Sequence, residues 1–430
     1  MKVAVQGLWH LGSVTAACLA AAGHEVAGFD ADADVVLRLA QGVPPVSEPG
    51  LPELVCSGIG TGKLRFSSSH ETLAGAQVLW VTYDTPVDAD DVADVEFVVR
   101  EVQRSLPFLS EGTLVLISSQ LPVGSISRLE KAAAELCPAK KLRFACSPEN
   151  LRLGKALEVF NRPDRVVMGV RTSADRELLA ELMRSITSSI EWMSVESAEM
   201  TKHAINAFLA TSVAFANEIA TLCERTGADA KEVERGLKTE SRIGPKAYLS
   251  PGAAFAGGTL ARDIGFLTHI GEKEDVPTRL LGSVKKSNDE HKLWPRRKLQ
   301  YLFETLRDLP IAVLGLTYKP GTDTLRRSLS VELCEWLITQ GVRLRVHDPA
   351  VKALPAHWAR NVEQCGSAEA CLDSAKVVVV ATEWPEYKNL NLPARSQDDP
   401  LVVLDANRFL AHLAGRVGVK HFAVGSSGRM

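Results

Sequence analysis

Lys202 and Asn206 stand four residues apart in a stretch of helical periodicity, so their side chains share one helix face. An ammonium and an amide side by side can hold an alkoxide or a carbonyl oxygen. The same spacing equally suits a solvated face with no chemistry. Further on, Asp263 closes the glycine-rich run Phe255-Ala-Gly-Gly-Thr-Leu-Ala-Arg-Asp263. A carboxylate there can accept a proton, directly or through a water, as hydride leaves an alcohol carbon. Near the N-terminus, Gly7-Leu-Trp-His-Leu-Gly12 lies between a strand-like Lys2-Val-Ala-Val-Gln6 and a helix-like stretch from Ser13 to Gly23. Such a turn lets the backbone approach a pyrophosphate and aims a helix N-terminus at its charge. The first and third glycines of a GxGxxG pattern are present, and Trp9 takes the place of the second. The imperfect motif gains weight from its context, because the next strand, Glu25-Val-Ala-Gly-Phe-Asp30, ends in an acid. Asp30 suits a ribose diol better than a 2′-phosphate, which favours NAD over NADP. The competing reading is an ordinary strand–turn–helix corner with Trp9 as a packing residue.

The elements that must position these groups are legible as alternation. Short apolar strands follow at Val78-Leu-Trp-Val81, Thr113-Leu-Val-Leu-Ile117 and Leu142-Arg-Phe-Ala145, with helical stretches between them. That pattern implies a parallel sheet wound with helices on both faces. From about Ser197 to Thr226 the pattern becomes one long helix, its apolar positions at Met200, Ile205, Phe208, Leu209, Ile219 and Leu222. A second strand–loop–helix unit begins at Ile311-Ala-Val-Leu-Gly-Leu316 and continues through strands near Arg343–Asp348, Val377–Ala381 and Val402–Asp405. The fold class expected is α/β: two Rossmann-like doubly wound domains, residues 1–196 and 307–430, joined by a helical middle, residues 197–306. The 430 residues are enough for such a division. A net charge of −3 gives no general attraction to nucleic acid or anionic membrane. The cysteines, at 18, 56, 137, 146, 223, 334, 365 and 371, show no CxxC and no metal-ligand spacing. They suit reduced thiols in a cytoplasmic protein. No signal-like N-terminus or long uncharged apolar run is evident, so neither secretion nor a membrane span is expected.

Several separate segments, in order, resemble the UDP-glucose/GDP-mannose dehydrogenase family. Ser147-Pro-Glu-Asn-Leu-Arg-Leu-Gly154 is similar to its Asn-Pro-Glu-Phe-Leu-Arg-Glu-Gly segment. Glu199-Met-Thr-Lys-His-Ala-Ile-Asn206 is similar to its Glu-x-x-Lys-x-x-x-Asn helix, and Gly315-Leu-Thr-Tyr-Lys-Pro-Gly-Thr-Asp323 to its C-terminal nucleotide-binding loop. Thr382-Glu-Trp384 matches a further signature, and Asp405-Ala-Asn-Arg408 matches more loosely. The resemblance implies that NAD lies against Gly7, Trp9, His10, Leu11 and Gly12, with Asp30, Thr85 and Gln120 beside it. It implies that Lys202, Asn206 and Asp263 serve alcohol oxidation, while Glu149 assists later steps. A nucleotide sugar, UDP-hexose by the weight of the family, would meet Glu149, Leu151, Lys202, Asn206, Leu249, Gly252, Phe255, Gly257 and Lys319. Arg242 would reach it across a homodimer interface, which the long helix suits.

The departures cluster on the second half of the family's reaction. Its active-site loop usually reads Phe-Gly-Gly-x-Cys-x-x-Lys-Asp, and the cysteine captures the aldehyde for a second oxidation through a thioester. Here Thr259 holds that slot and Arg262 the lysine's. A hydroxyl ionises far less readily than a thiol and is a poorer leaving group. Arg327 replaces a glutamate, which bears on subunit contacts or pocket polarity; in Ser118-Ser-Gln-Leu-Pro-Val-Gly124, Gln120 replaces the threonine that helps place the hydrolytic water, and further on Ser147 replaces the asparagine before Pro148. Together these suggest one two-electron oxidation, giving an aldehyde or keto sugar. The alternatives are a full four-electron 6-dehydrogenase, a redox-neutral epimerase with bound NAD, and a non-catalytic nucleotide-sugar-binding homologue. Cys146, at a strand end before the Ser-Pro-Glu segment, is either a relocated nucleophile or a buried structural cysteine. No metal is expected.

Overall fold

Short runs of apolar residues form the strands of this computed structural model, which describes residues 1–88, 93–148, 151–256, 258–358 and 361–426. The chain divides into two compact units, residues 1–205 and 206–430.

The first unit holds β1 (Lys2–Gln6), β2 (Glu25–Phe29), β3 (Leu64–Ser67), β4 (Val78–Val81), β5 (Leu114–Ile117), β6 (Arg143–Cys146), β7 (Val166–Gly169) and β8 (Ile190–Met193). They form one sheet in the order β3-β2-β1-β4-β5-β6-β7-β8. All pairs are parallel except β6 with β7, which meet antiparallel at Cys146 and Gly169. Both faces are covered, one core containing Val3, Val5 and Leu19, the other Ala4, Phe29 and Val115. This is why β4 and β5 read as continuous apolar runs rather than as alternation. The order reverses between β1 and β4, and a ligand of such a sheet binds outside the carboxyl ends of the strands at that switch.

The second unit repeats the plan. β9 (Pro310–Leu314), β10 (Arg343–His347), β11 (Val362–Gln364), β12 (Val377–Val380), β13 (Leu401–Asp405) and β14 (Val419–Phe422) form a parallel sheet in the order β11-β10-β9-β12-β13-β14. Ahead of it lies a helical layer, in which Ala207, Ala210 and Ala214 of the long helix Val195–Thr226 pack against Ile264, Leu267 and Val284.

That packing corrects the expected apolar face of the long helix. Its buried apolar residues are mostly alanines, whereas Phe208 is 70% and Leu222 60% exposed, and Met200 is exposed too. Small side chains let neighbouring helices approach closely, and the large ones are left on the outer face. By length and composition this helix is apolar enough to cross a membrane. It nevertheless buries Glu199, His203, Asn206 and Asn217, each hydrogen-bonded.

Candidate active site

The dinucleotide turn follows from two steric demands. Gly7 has φ +90°, and a Cβ there would lie 2.6 Å from the Tyr83 ring. A Cβ on Gly12 would lie 1.8 Å from the Gly7 carbonyl oxygen, so helix His10–Ala21 can start this close to β1 only with glycine. Thr82 Oγ1 donates to the carbonyls of Gln6 and Gly7, at 2.9 and 2.8 Å, and holds the turn over the switch point. Among the described residues no side chain caps the helix, which leaves its first N–H groups for an anion. Asp30 follows β2, accepting from Leu8 N at 2.6 Å and Asp32 N at 3.0 Å. These bonds orient a carboxylate that retains lone pairs for a ribose diol. Turn, helix end and acid fit a dinucleotide. Trp9 is 49% exposed at the mouth of the turn, so it is not the packing residue of the competing reading. His10 is half-buried, and Leu11 is buried in the helix.

Across the switch, Thr85 Oγ1 donates to the Gln120 carbonyl at 2.6 Å, joining two residues expected near the cofactor. Ser118 Oγ donates to the Ser147 carbonyl at 2.5 Å and accepts from Trp80 Nε1 at 2.8 Å. This fastens the start of the Ser-Pro-Glu segment to β5. Leu151 is half-buried; Glu149 lies outside the described residues. Glu199 accepts from Gly124 N and Ile126 N at 2.8 and 3.0 Å and caps helix Ser125–Leu136. Cys146 is buried at the end of β6, and burial pushes its thiol well above its ordinary range, with the Glu199 charge adding to the shift. A thiol held protonated is a poor nucleophile, so the structural reading of Cys146 holds.

In the second unit, Asn206 Nδ2 donates to Asp263 Oδ2, and both residues are buried. Asp263 lies on the inner side of helix Thr259–Lys273, next to Ile264 in the alanine-lined core. Lys202, half-buried, precedes Asn206 by one turn of the long helix. Thr259 is the exposed first residue of its helix, preceded by Gly258 at φ +104°. The loop before it is clamped by side chains to which the sequence reading gave no role. Gly252 N donates to Asn217 Oδ1 at 2.9 Å, and the Gly252 carbonyl meets His291 Nε2 at 2.8 Å. Ala253 N donates to Asn407 Oδ1 at 2.7 Å. Asn288 both accepts from Phe255 N and donates to its carbonyl, at 2.9 and 2.8 Å. Burial pushes the His291 imidazole below its ordinary pKa, so it stays neutral. Gly257 lies outside the described residues; Leu249 is half-buried and Arg242 fully exposed.

The second sheet carries its own turn at its switch point. The Asp348 carboxylate accepts from Leu316 N at 2.7 Å, Thr317 N at 3.0 Å and Trp384 Nε1 at 3.1 Å. Lys319 follows, half-buried, its carbonyl accepting from Thr322 Oγ1 at 2.8 Å.

Residues 1–187, 196–290 and 312–412 match, in turn, the NAD binding domain, the central domain and the UDP binding domain of the UDP-glucose/GDP-mannose dehydrogenase family. The chain belongs to that family. It is 32% identical to the UDP-glucose 6-dehydrogenase of Pseudomonas aeruginosa over 99% of this chain and 97% of that one. Against the enzyme of the same name from Rhizobium meliloti it is 32% identical, over 99% of each. A solved structure of a UDP-glucose dehydrogenase from the archaeon Pyrobaculum islandicum superposes with a TM-score of 0.87 at 30% identity, covering 99% of this chain and 98% of that one.

The chain is accordingly an enzyme, an NAD-dependent nucleotide-sugar dehydrogenase by family, and NAD is the cofactor that its N-terminal turn fits. Within the family frame, the hydrogen-bonded start of the glycine loop and the buried Asn206–Asp263 pair are the polar features nearest Thr259 in sequence and on its helix. The clamping amides of Asn217 and Asn288 escaped sequence reading because a lone Asn on a helix carries no signal until its backbone partner is known; Asn407 was read only as part of the Asp405–Arg408 resemblance, without a role.

Proposed function

We propose that this enzyme removes a single pair of hydrogens from a UDP-hexose and stops at the carbonyl, releasing a 6-aldehyde or keto sugar. The observation that supports this most is Thr259, which heads the active-site helix where the family resemblance expects the nucleophilic cysteine. Cys146, next to the Ser-Pro-Glu segment in sequence, is buried and held protonated. Bound NAD supplies the hydride acceptor. Asp263, positioned by the Asn206 amide, takes the hydroxyl proton as the carbonyl forms, and Lys202 holds the oxygen on which charge develops. Glu149, Leu151, Arg242, Leu249, Gly252, Phe255, Gly257 and Lys319 are assigned to the nucleotide sugar. The domains are read as residues 1–196 for NAD, 197–306 for the helical middle and 307–430 for the UDP moiety.

The relatives' name, UDP-glucose 6-dehydrogenase, favours a second reading in which another group replaces the cysteine and the uronic acid is made. Mass identification of the product from UDP-glucose decides between them: a loss of two hydrogens supports the first, an acid the second. We read the protein as a homodimer, because Phe208, Phe215 and Leu222 leave an exposed apolar stripe at seven-residue spacing along the long helix. Its cysteines are all unpaired thiols, which suits the cytoplasm.

A further inference from the structure

Glu48, which no motif marks, is almost completely buried in the loop before helix Leu51–Gly60. Its carboxylate gathers three bonds from two separate parts of the first unit. Oε2 meets His10 Nε2 at 3.0 Å and accepts from Gly154 N at 2.8 Å, while Oε1 accepts from Ala156 N at 2.8 Å. His10 is the first residue of the helix that the dinucleotide turn starts. Gly154 ends the Ser147–Gly154 segment, at φ +86°. The opposite end of that segment is fastened by Ser118 to the Ser147 carbonyl. Burial alone would raise the Glu48 carboxyl; the bonds to His10, Gly154 and Ala156 outweigh it and hold the group ionised. A buried carboxylate that loses one donor is left under-satisfied, so its remaining bonds depend on the first being made.

We propose that Glu48 is a positioning residue that couples the dinucleotide turn to residues 151–156, so that seating NAD at His10 firms the chain at Gly154 and Ala156. The link goes beyond the proposed chemistry and stands whether the sugar is oxidised once or twice. It runs His10 to Glu48 to Gly154 and Ala156, entirely through the described residues of one unit. A diphosphate on the turn restricts the start of helix His10–Ala21. The imidazole is then fixed against Oε2, and the carboxylate can satisfy Gly154 N and Ala156 N without competition from a rotating neighbour. When the turn is empty, the chain at Gly154 and Ala156 is correspondingly looser.

Amide hydrogen exchange on the full-length protein, with and without saturating NAD, tests this. In the unaltered protein NAD should slow exchange across residues 151–158 by about tenfold, a shift readily resolved for local opening. His10→Phe keeps the ring but not the donor, and, compared at an NAD concentration that saturates the variant, should lose the protection at Gly154 and Ala156. His10→Gln, whose amide can place a donor near the position of Nε2, should restore it. Glu48→Gln should lose it, because its amide must face at least one N–H donor. Should Glu48→Gln fail to fold, the two His10 variants decide the matter. Equal protection in His10→Phe, or none in the unaltered protein, would overturn the proposal; a purely structural role would slow exchange with and without NAD alike.

Discussion

Asp263 and Asn206 carry the residue-scale account, since a buried carboxylate is kept by the amide that donates to it. In the proposed mechanism, Asp263→Asn removes the acceptor for the hydroxyl proton, and Lys202→Ala removes the charge facing the developing oxyanion. Each is expected to lower kcat by about 10²–10⁴-fold, the usual worth of a general base or an oxyanion contact, while nucleotide-sugar affinity measured by calorimetry changes little. Undiminished turnover in both would remove this assignment. Thr259→Cys places a thiol at a helix N-terminus, where its pKa should fall below that of a free thiol. That variant is expected to be alkylated by iodoacetamide faster than any native cysteine and to trap a thioester or form some acid. A thiol inert to the reagent would contradict the loop geometry.

At the scale of elements, the glycine loop is anchored at Gly252, Ala253 and Phe255. Its carbonyls and amides are held by Asn217, Asn288, His291 and Asn407. Asn288→Ala leaves the Phe255 N–H and carbonyl without their partner and should cost about 1–3 kcal/mol of stability, read as a lower urea midpoint with an unchanged slope. The glycines that shape this loop were legible in the sequence because Gly needs no partner to be recognised. The clamp was not, because it depends on residues far apart in the chain. The long helix shows the same limit. Its existence and end were readable from periodicity, Val195–Thr226 against an expected 197–226. Its buried face was not, because the core there is built from alanines while Phe208 and Leu222 lie outside. The strands β3, β7, β8, β11 and β14 were missed for a related reason, being three or four residues long and, apart from β7, largely short of full burial.

For the whole molecule, two largely parallel sheets with turns at their switch points were foreshadowed by strand–turn–helix units beginning at Lys2 and Ile311. The apolar stripe on the long helix makes a dimer the expected state, and Phe208→Asp combined with Leu222→Glu should shift sedimentation from dimer to monomer; an unchanged coefficient would place the interface elsewhere. Stability against pH should fall in two stages. Burial lowers the pKa of His24, His291 and His347 from 6.5, so each is neutral in the fold and takes a proton on unfolding. Their contribution is full above about pH 6.5 and is lost as pH falls below it. Glu196, held down to about 2 by Arg171, and Glu234, held down to about 2 despite its burial by Lys238, Ser250 and Lys231, add a second loss from about pH 4.5 downward. Calorimetric Tm values should therefore decline between pH 6.5 and 5 and more steeply below 4.5; a flat profile from pH 7 to 5 would contradict the first stage.

The central claim is that the chain oxidises a nucleotide sugar once. It is tested most directly by anaerobic incubation of the purified protein with NAD and limiting UDP-glucose, GDP-mannose or UDP-N-acetylhexosamines, counting NADH by absorbance and weighing the product. One NADH per sugar, with a product lighter by two hydrogens, is the expected result. Two NADH per sugar and a uronic acid would contradict it and show that a group other than a cysteine at position 259 completes the second oxidation.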